Sequence, residues 1–221
     1  MGHRLLVVAA LGLVAGVAHA DGGRVTGKVT VTEADGKATS ADVIVYVVGY
    51  PEPGTAGEAT AEIAQKGRKF VPDLIAVTVG ESVKFPNQDN FLHNVFSQST
   101  ARKFDLGSFR KGDAKQKDFT TAGVVDVYCN IHPEMAATIL VLPNKRHTHA
   151  NADGSFVIDG VKPGTWTVFA YARRALKPAS APVTVVVGQD ATVNLALTRG
   201  AEPPHVNKFG EKYKDGTTVY R

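Results

Sequence analysis

Cys129, His132 and Met135 stand three residues apart in Val125–Val141, VDVYCNIHPEMAATILV. Two strand-like runs flank the hexapeptide Asn130 to Met135, so these side chains are gathered on one short loop. A thiolate and a thioether are soft donors that favour Cu(I), and imidazole suits both oxidation states of copper. Two histidines and a cysteine in a plane, with a distant methionine, let copper gain or lose an electron with little rearrangement. The second histidine must come from elsewhere, and His93 in FPNQDNFLHNV, just before a strand-like run, is the candidate. A buried core cysteine and methionine beside an exposed histidine is the competing reading. It has to place the single cysteine and the one methionine after Met1 six positions apart by coincidence, with a histidine between them.

The surrounding sequence predicts strands. Arg24–Val31 alternates, and Asp42–Val48 is rich in Val, Ile and Tyr. Further strands are expected at Leu74–Val79, Ser82–Phe85, Asn94–Phe96, Val124–Cys129, Ala137–Leu142, Ser155–Ile158, Thr165–Ala172, Val183–Val187 and Thr192–Leu197. Asp35-Gly36, Asp153-Gly154, Asp159-Gly160, Pro163-Gly164 and Gly188-Gln189-Asp190 supply turns between them. Many short, closely spaced strands predict an all-β chain of sandwiches. Only Ala56–Lys66 could pass for a helix. Gly200–Arg221, polar and carrying Pro203-Pro204, reads as a tail that is ordered only if it docks.

His93, Cys129, His132 and Met135 match the ligand pattern of the type 1 blue-copper cupredoxins of the plastocyanin and amicyanin kind. The short Cys-x-x-His-x-x-Met loop looks most like amicyanin. The resemblance covers about residues 60–143, including Gly80–Phe85 (GESVKF) and Thr121-Ala-Gly123. It implies a Greek-key sandwich holding one copper, with Cys129 as thiolate, His93 as the buried imidazole and Met135 as the weak axial ligand. His132 would lie nearer the surface, where electrons leave. It also implies that the Asn94 backbone N–H points at the Cys129 sulfur. Pro86, Ile131 and Pro133 would contribute an apolar rim for redox partner proteins, with Glu134 adding a charge nearby.

A second block resembles the carboxypeptidase regulatory-like (transthyretin-like) sandwich, a small Ig-like β-sandwich. The matching segments are Val25–Val29, Ala41–Tyr46, Asn151–Ile158 and Val161–Val168, with Phe156 and Trp166 as expected core residues. The organisation expected is one sandwich from 22–50 and 147–199, interrupted by a cupredoxin at 51–146 and followed by the tail at 200–221. The two flanking pieces sum to 82 residues, an ordinary domain size. The alternative is an extended cupredoxin followed by a separate C-terminal domain.

Residues 1–20 read as an export signal: Arg4, a 14-residue apolar run from Leu5 to Ala18, and the Ala18-His19-Ala20 cleavage pattern. That run falls short of the ~18 to 20 residues needed to span a bilayer, and no later segment is apolar and long enough. The mature protein is expected to be periplasmic or secreted, beginning near Asp21. An unpaired thiol there needs burial or a metal. The chain has 221 residues, a formal charge of +4 and 21% charged residues, with basic and acidic groups mixed. That mixture argues against nucleic-acid binding, and one cysteine excludes an intramolecular disulfide and any multi-cysteine cluster.

The remaining signals are weaker. His147-Thr-His149 reads as a solvated linker, and Arg102–Lys117, with six basic and two acidic residues, as a solvated loop that could meet an acidic partner. The expected function is an exported electron carrier rather than an enzyme. A copper chaperone or sensor, or a non-redox envelope-binding module, is the alternative. Too few spare histidines (His147, His149 and His205) remain for a multicopper enzyme.

Overall fold

The computed structural model describes residues 22–213, apart from residue 58. The export signal expected at residues 1–20 lies outside the described residues. Within them the chain is all-β. Its strands are β1 (Gly23–Glu33), β2 (Ile44–Val48), β3 (Ala59–Glu62), β4 (Ala64–Gln65), β5 (Phe70–Val71), β6 (Leu74–Thr78), β7 (Ser82–Pro86), β8 (His93–Ser97) and β9 (Phe104–Phe109). They continue as β10 (Ala114–Asp118), β11 (Gly123–Tyr128), β12 (Ala136–Leu142), β13 (His147–His149), β14 (Ser155–Val161), β15 (Gly164–Tyr171), β16 (Ala179–Val185) and β17 (Asp190–Arg199). No helix among the described residues is long and apolar enough to cross a membrane.

Two sheets draw only on β3 and β6–β12, in the orders β10-β7-β3 and β6-β12-β11-β8-β9. Their shared core is Phe85, Phe119, Val95, Val125, Val127 and Ile139 with Cys129 and Met135. Polar–apolar alternation decides which strands line it. β8 is buried at every position, whereas β10 exposes Ala114, Gln116 and Asp118, with Lys115 and Lys117 half-buried between them, and forms an edge. Two further sheets, β14-β1-β17 and β13-β2-β15-β16, draw only on 23–48 and 147–199 and close over a separate core. β1 and β17 lie side by side in parallel from Arg24↔Asp190 to Glu33↔Arg199. A third apolar cluster, Ile44 with Leu74, Leu140 and Leu142, joins the two halves. Each such side chain contributes about 1.5–3 kcal/mol by leaving water, so the seam is substantial.

Several expectations change. Ala56–Lys66 is not helical: β3 and β4 run through it, with β3 paired in parallel to β7. Arg102–Lys117 contains β9 and β10 rather than a loop; its lysines sit at exposed or half-exposed alternating positions, a pattern that overall charge hides. The strand expected at Val183–Val187 runs earlier, from Ala179, because Thr184, Pro182 and Ser180 pair across to β15. His147–His149 is strand β13 on the edge of β2. Phe156 is buried, but Trp166 is only half-buried; its indole N–H donates to the Lys162 carbonyl at 2.6 Å, and its ring meets Tyr50 edge-on.

Candidate metal centre

The fold brings His93 to the cysteine loop by register. β8 and β11 are antiparallel, with Tyr128 opposite Phe96, so residues following Tyr128 run back alongside the start of β8. The loop from Cys129 to Met135 joins β11 to β12. It closes on itself through Cys129 N–H to the Met135 carbonyl (3.3 Å) and Met135 N–H to the His132 carbonyl (3.0 Å). Cys129, His93 and Met135 are fully buried, and His132 is 6% exposed.

His93 Nδ1 lies 3.9 Å and His132 Nδ1 3.8 Å from Cys129 Sγ, and the two nitrogens are 3.1 Å apart. In a triangle with those sides, the point equidistant from all three atoms lies about 2.1 Å from each. Protein nitrogen and sulfur donors bind a zinc ion at about 2.0–2.3 Å, so the three converge on a space the size of a transition-metal ion. They are the one such group among the described residues.

The neighbours prepare each donor. His93 Nε2 is 2.8 Å from Asp89 Oδ2, which keeps the proton on Nε2 and turns the Nδ1 lone pair inward. Asp89 in turn accepts the backbone N–H groups of Gly67 (2.7 Å) and Arg68 (3.0 Å). Burial would raise its carboxyl, but those two N–H groups and His93 outweigh it and hold it below the usual carboxylate value. Burial pushes both imidazoles below their ordinary value; Asp89 opposes this at His93, while His93 adds to it at His132. Burial raises the Cys129 thiol, opposed by the backbone N–H groups of Asn94, Ile131 and His132. An electropositive ion would complete what those three donors begin.

No family-wide sequence profile matches the chain. Plastocyanin from Ulva arasakii is 35% identical over 72 residues, spanning 28% of this chain and 74% of that protein, and plastocyanin from Ulva pertusa gives the same figures. The chain belongs to the plastocyanin family. Among solved structures, a purple cupredoxin from Nitrosopumilus maritimus aligns with 37% of this chain and 98% of its own (25% identity, TM-score 0.33). A variant of amicyanin in its Cu(I) form aligns with 44% and 97% (21% identity, TM-score 0.35). Copper is the metal that this donor set of one thiolate and two imidazoles, with Met135 beside them, suits.

Around the donors, the plastocyanin-family block departs from the sequence reading in two places, Ile131 and Phe91. Ile131, expected on the rim, is 5% exposed and packs into the core, because its side chain turns inward with Cys129. Pro133 is exposed and Pro86 half-buried. Phe91 takes the outer place: it is 41% exposed, and its ring meets His93 (5.1 Å) and His132 (5.5 Å) edge-on, with the Arg68 guanidinium 5.4 Å from its centroid. Asn94, whose backbone N–H draws the Cys129 thiol down, also offers a side-chain oxygen that accepts the Asn130 N–H at 3.3 Å. Neither Asp89 nor Phe91 was visible as a site residue, since both sit in an aperiodic loop.

Proposed function

We propose that the protein is an exported electron carrier that holds one copper ion between His93, Cys129, His132 and Met135. The observation that carries this reading is the convergence of His93 Nδ1, His132 Nδ1 and Cys129 Sγ on one ion-sized space. Copper supplies the one-electron couple. The residues supply the frame that holds it. Asp89 fixes the tautomer and tilt of His93, three backbone N–H groups favour the Cys129 thiolate, and the β8 and β11 cores hold both strands rigid. Burial of Cys129, His93 and Met135 excludes water, which lowers the rearrangement that accompanies a change of charge. His132, with exposed Phe91 and Pro133 beside it, is the route to a redox partner. Sheets drawn only from 23–48 and 147–199 support an inserted arrangement, in which the flanking sandwich is a scaffold around the carrier.

Visible and electron paramagnetic resonance spectra of the Cu(II)-loaded protein test the reading. An intense thiolate-to-copper band with a compact hyperfine pattern, absent from Cys129→Ser, is expected. A colourless protein, or a weak signal that survives in Cys129→Ser, rejects it.

Asp89 gives a second expectation. Asp89→Ala frees the His93 ring and should weaken copper binding by about 10- to 100-fold, measured by competition with a chelator. Loss of the carboxylate charge should also raise the reduction potential, because the carboxylate favours the more positive oxidation state. Unchanged affinity and potential would mean that Asp89 only braces the 66–68 turn.

A further inference from the structure

The segment after β17 leaves the flanking sandwich and returns to the metal centre. The Tyr213 hydroxyl donates to the Cys129 carbonyl at 2.9 Å, and the Lys208 backbone N–H donates to Asn130 Oδ1 at 3.0 Å. His205 stacks on Tyr128, with centroids 4.1 Å apart and planes at 11°. Its own far edge is met by the Tyr213 ring. Lys208 and Tyr213 therefore hold the loop that carries Cys129, His132 and Met135, and His205 packs on the end of the strand that leads into it.

The grip closes a circuit. Asn130 N–H donates to Asn94 Oδ1, and Asn94 Nδ2 donates to Asp105 Oδ1 at 2.7 Å. Lys208 Nζ reaches Asp105 Oδ2 at 2.8 Å, and the Lys208 N–H returns to Asn130. One side of this ring is Asn94, which follows His93; another is Asn130, which follows Cys129. The tail itself is anchored beyond the loop by Gln98, whose side chain donates to the Lys208 carbonyl at 2.8 Å. At its start, Glu202 pairs with Arg173 at 2.5 Å. β11 and β12 fix only the two ends of the loop. A seven-residue connection has many backbone freedoms, and the external contacts remove them without using any metal donor.

We infer that the C-terminal segment, His205 to Tyr213, is a clasp on the ligand loop that retains the metal and closes the Tyr128 flank, leaving the Phe91–His132 side as the way in and out. The inference rests on the copper reading above, so its test includes readings made without copper. The metal-free full chain is compared with a chain ending at Gly200, and with Tyr213→Phe/Lys208→Met, which keeps the ring and the aliphatic stem. Amide hydrogen exchange of Asn130–His132 and nitration of Tyr128 by tetranitromethane report the clasp. Transfer of Cu(I) to bicinchoninate reports retention.

With the tail removed, loop exchange and Tyr128 nitration should each rise at least tenfold, and copper transfer about tenfold. The double variant should move all three the same way by several-fold, and it stands in if the shortened chain does not fold. Unchanged loop exchange and nitration would overturn the clasp, and raised exchange with unchanged copper transfer would overturn its role in retention. A protein that fails to hold copper but shows the metal-free changes would refute the copper reading while leaving the clasp on the loop.

Discussion

The metal-free protein should lose stability steadily as pH falls below about 6.5, and the copper-loaded protein should resist to distinctly lower pH. His93 and His132 are buried, and their Nδ1 atoms face each other at 3.1 Å. Burial holds both below the ordinary histidine value, and each cation would repel the other. The unfolded chain takes up these protons near 6.5, while the folded chain does not. Unfolding is therefore coupled to proton uptake, so the stability these groups confer is complete above 6.5. It declines from there down to the depressed folded values, by up to about 1.4 kcal/mol per pH unit for each histidine. Asp42 raises His149, which places that residue's own contribution on the alkaline side, so it does not produce the acid limb. A bound ion occupies both Nδ1 lone pairs, and protons must displace it before they can act. Urea midpoints from pH 5 to 8 check this. His132→Gln should flatten the metal-free slope by about a quarter, since burial also depresses His147 and His205, whereas identical slopes with and without copper would sink the argument.

The chemistry of the loop was readable because its signal is local: three donors within seven residues need no fold to bring them together. The strands with clean alternation or continuous β-branched runs, β1, β2, β6, β11 and β12, were readable for the same reason, since burial on one or both faces writes itself into a short stretch. What failed was long-range or edge-bound. β10 reads AKQKD and contributes no apolar face, so its strand character comes from pairing with β7. β3 owes its existence to a parallel partner more than 20 residues away. Asp89 and Phe91 are defined by where a loop folds over His93, and the tail's grip on Cys129 joins residues 84 apart. Ile131 was misjudged because adjacency to His132 says nothing about which way a loop side chain points.

Gly27→Ala should lower the Trp166 unfolding transition by more than about 10 °C while leaving the copper colour at the higher temperature. Gly27 sits mid-strand in β1, opposite Val193 on one side and Phe156 on the other. A Cβ there would run into the Val193 backbone carbonyl and the Phe156 ring. Neither obstacle can swing away: one is sheet backbone and the other is a buried core ring. Forcing even one extra carbon into a packed core typically costs ~1–3 kcal/mol, and immovable backbone places this case at or above the upper end. At about 4–8 °C per kcal/mol for a domain of this size, the shift is large. Gly36→Ala is the contrasting case: it has open space around it but a φ of +83°, so only its backbone strain, ~1 kcal/mol, should register. The single tryptophan lies on β15, within the sheets built from 23–48 and 147–199, and the colour would arise from the β8–β12 block. The two probes therefore follow different cores. Separate transitions would establish the flanking sandwich as its own unit around an inserted carrier. Transitions that fall together would show that the Ile44–Leu74–Leu140–Leu142 seam binds both cores into one cooperative fold, and the two-domain reading would then be wrong.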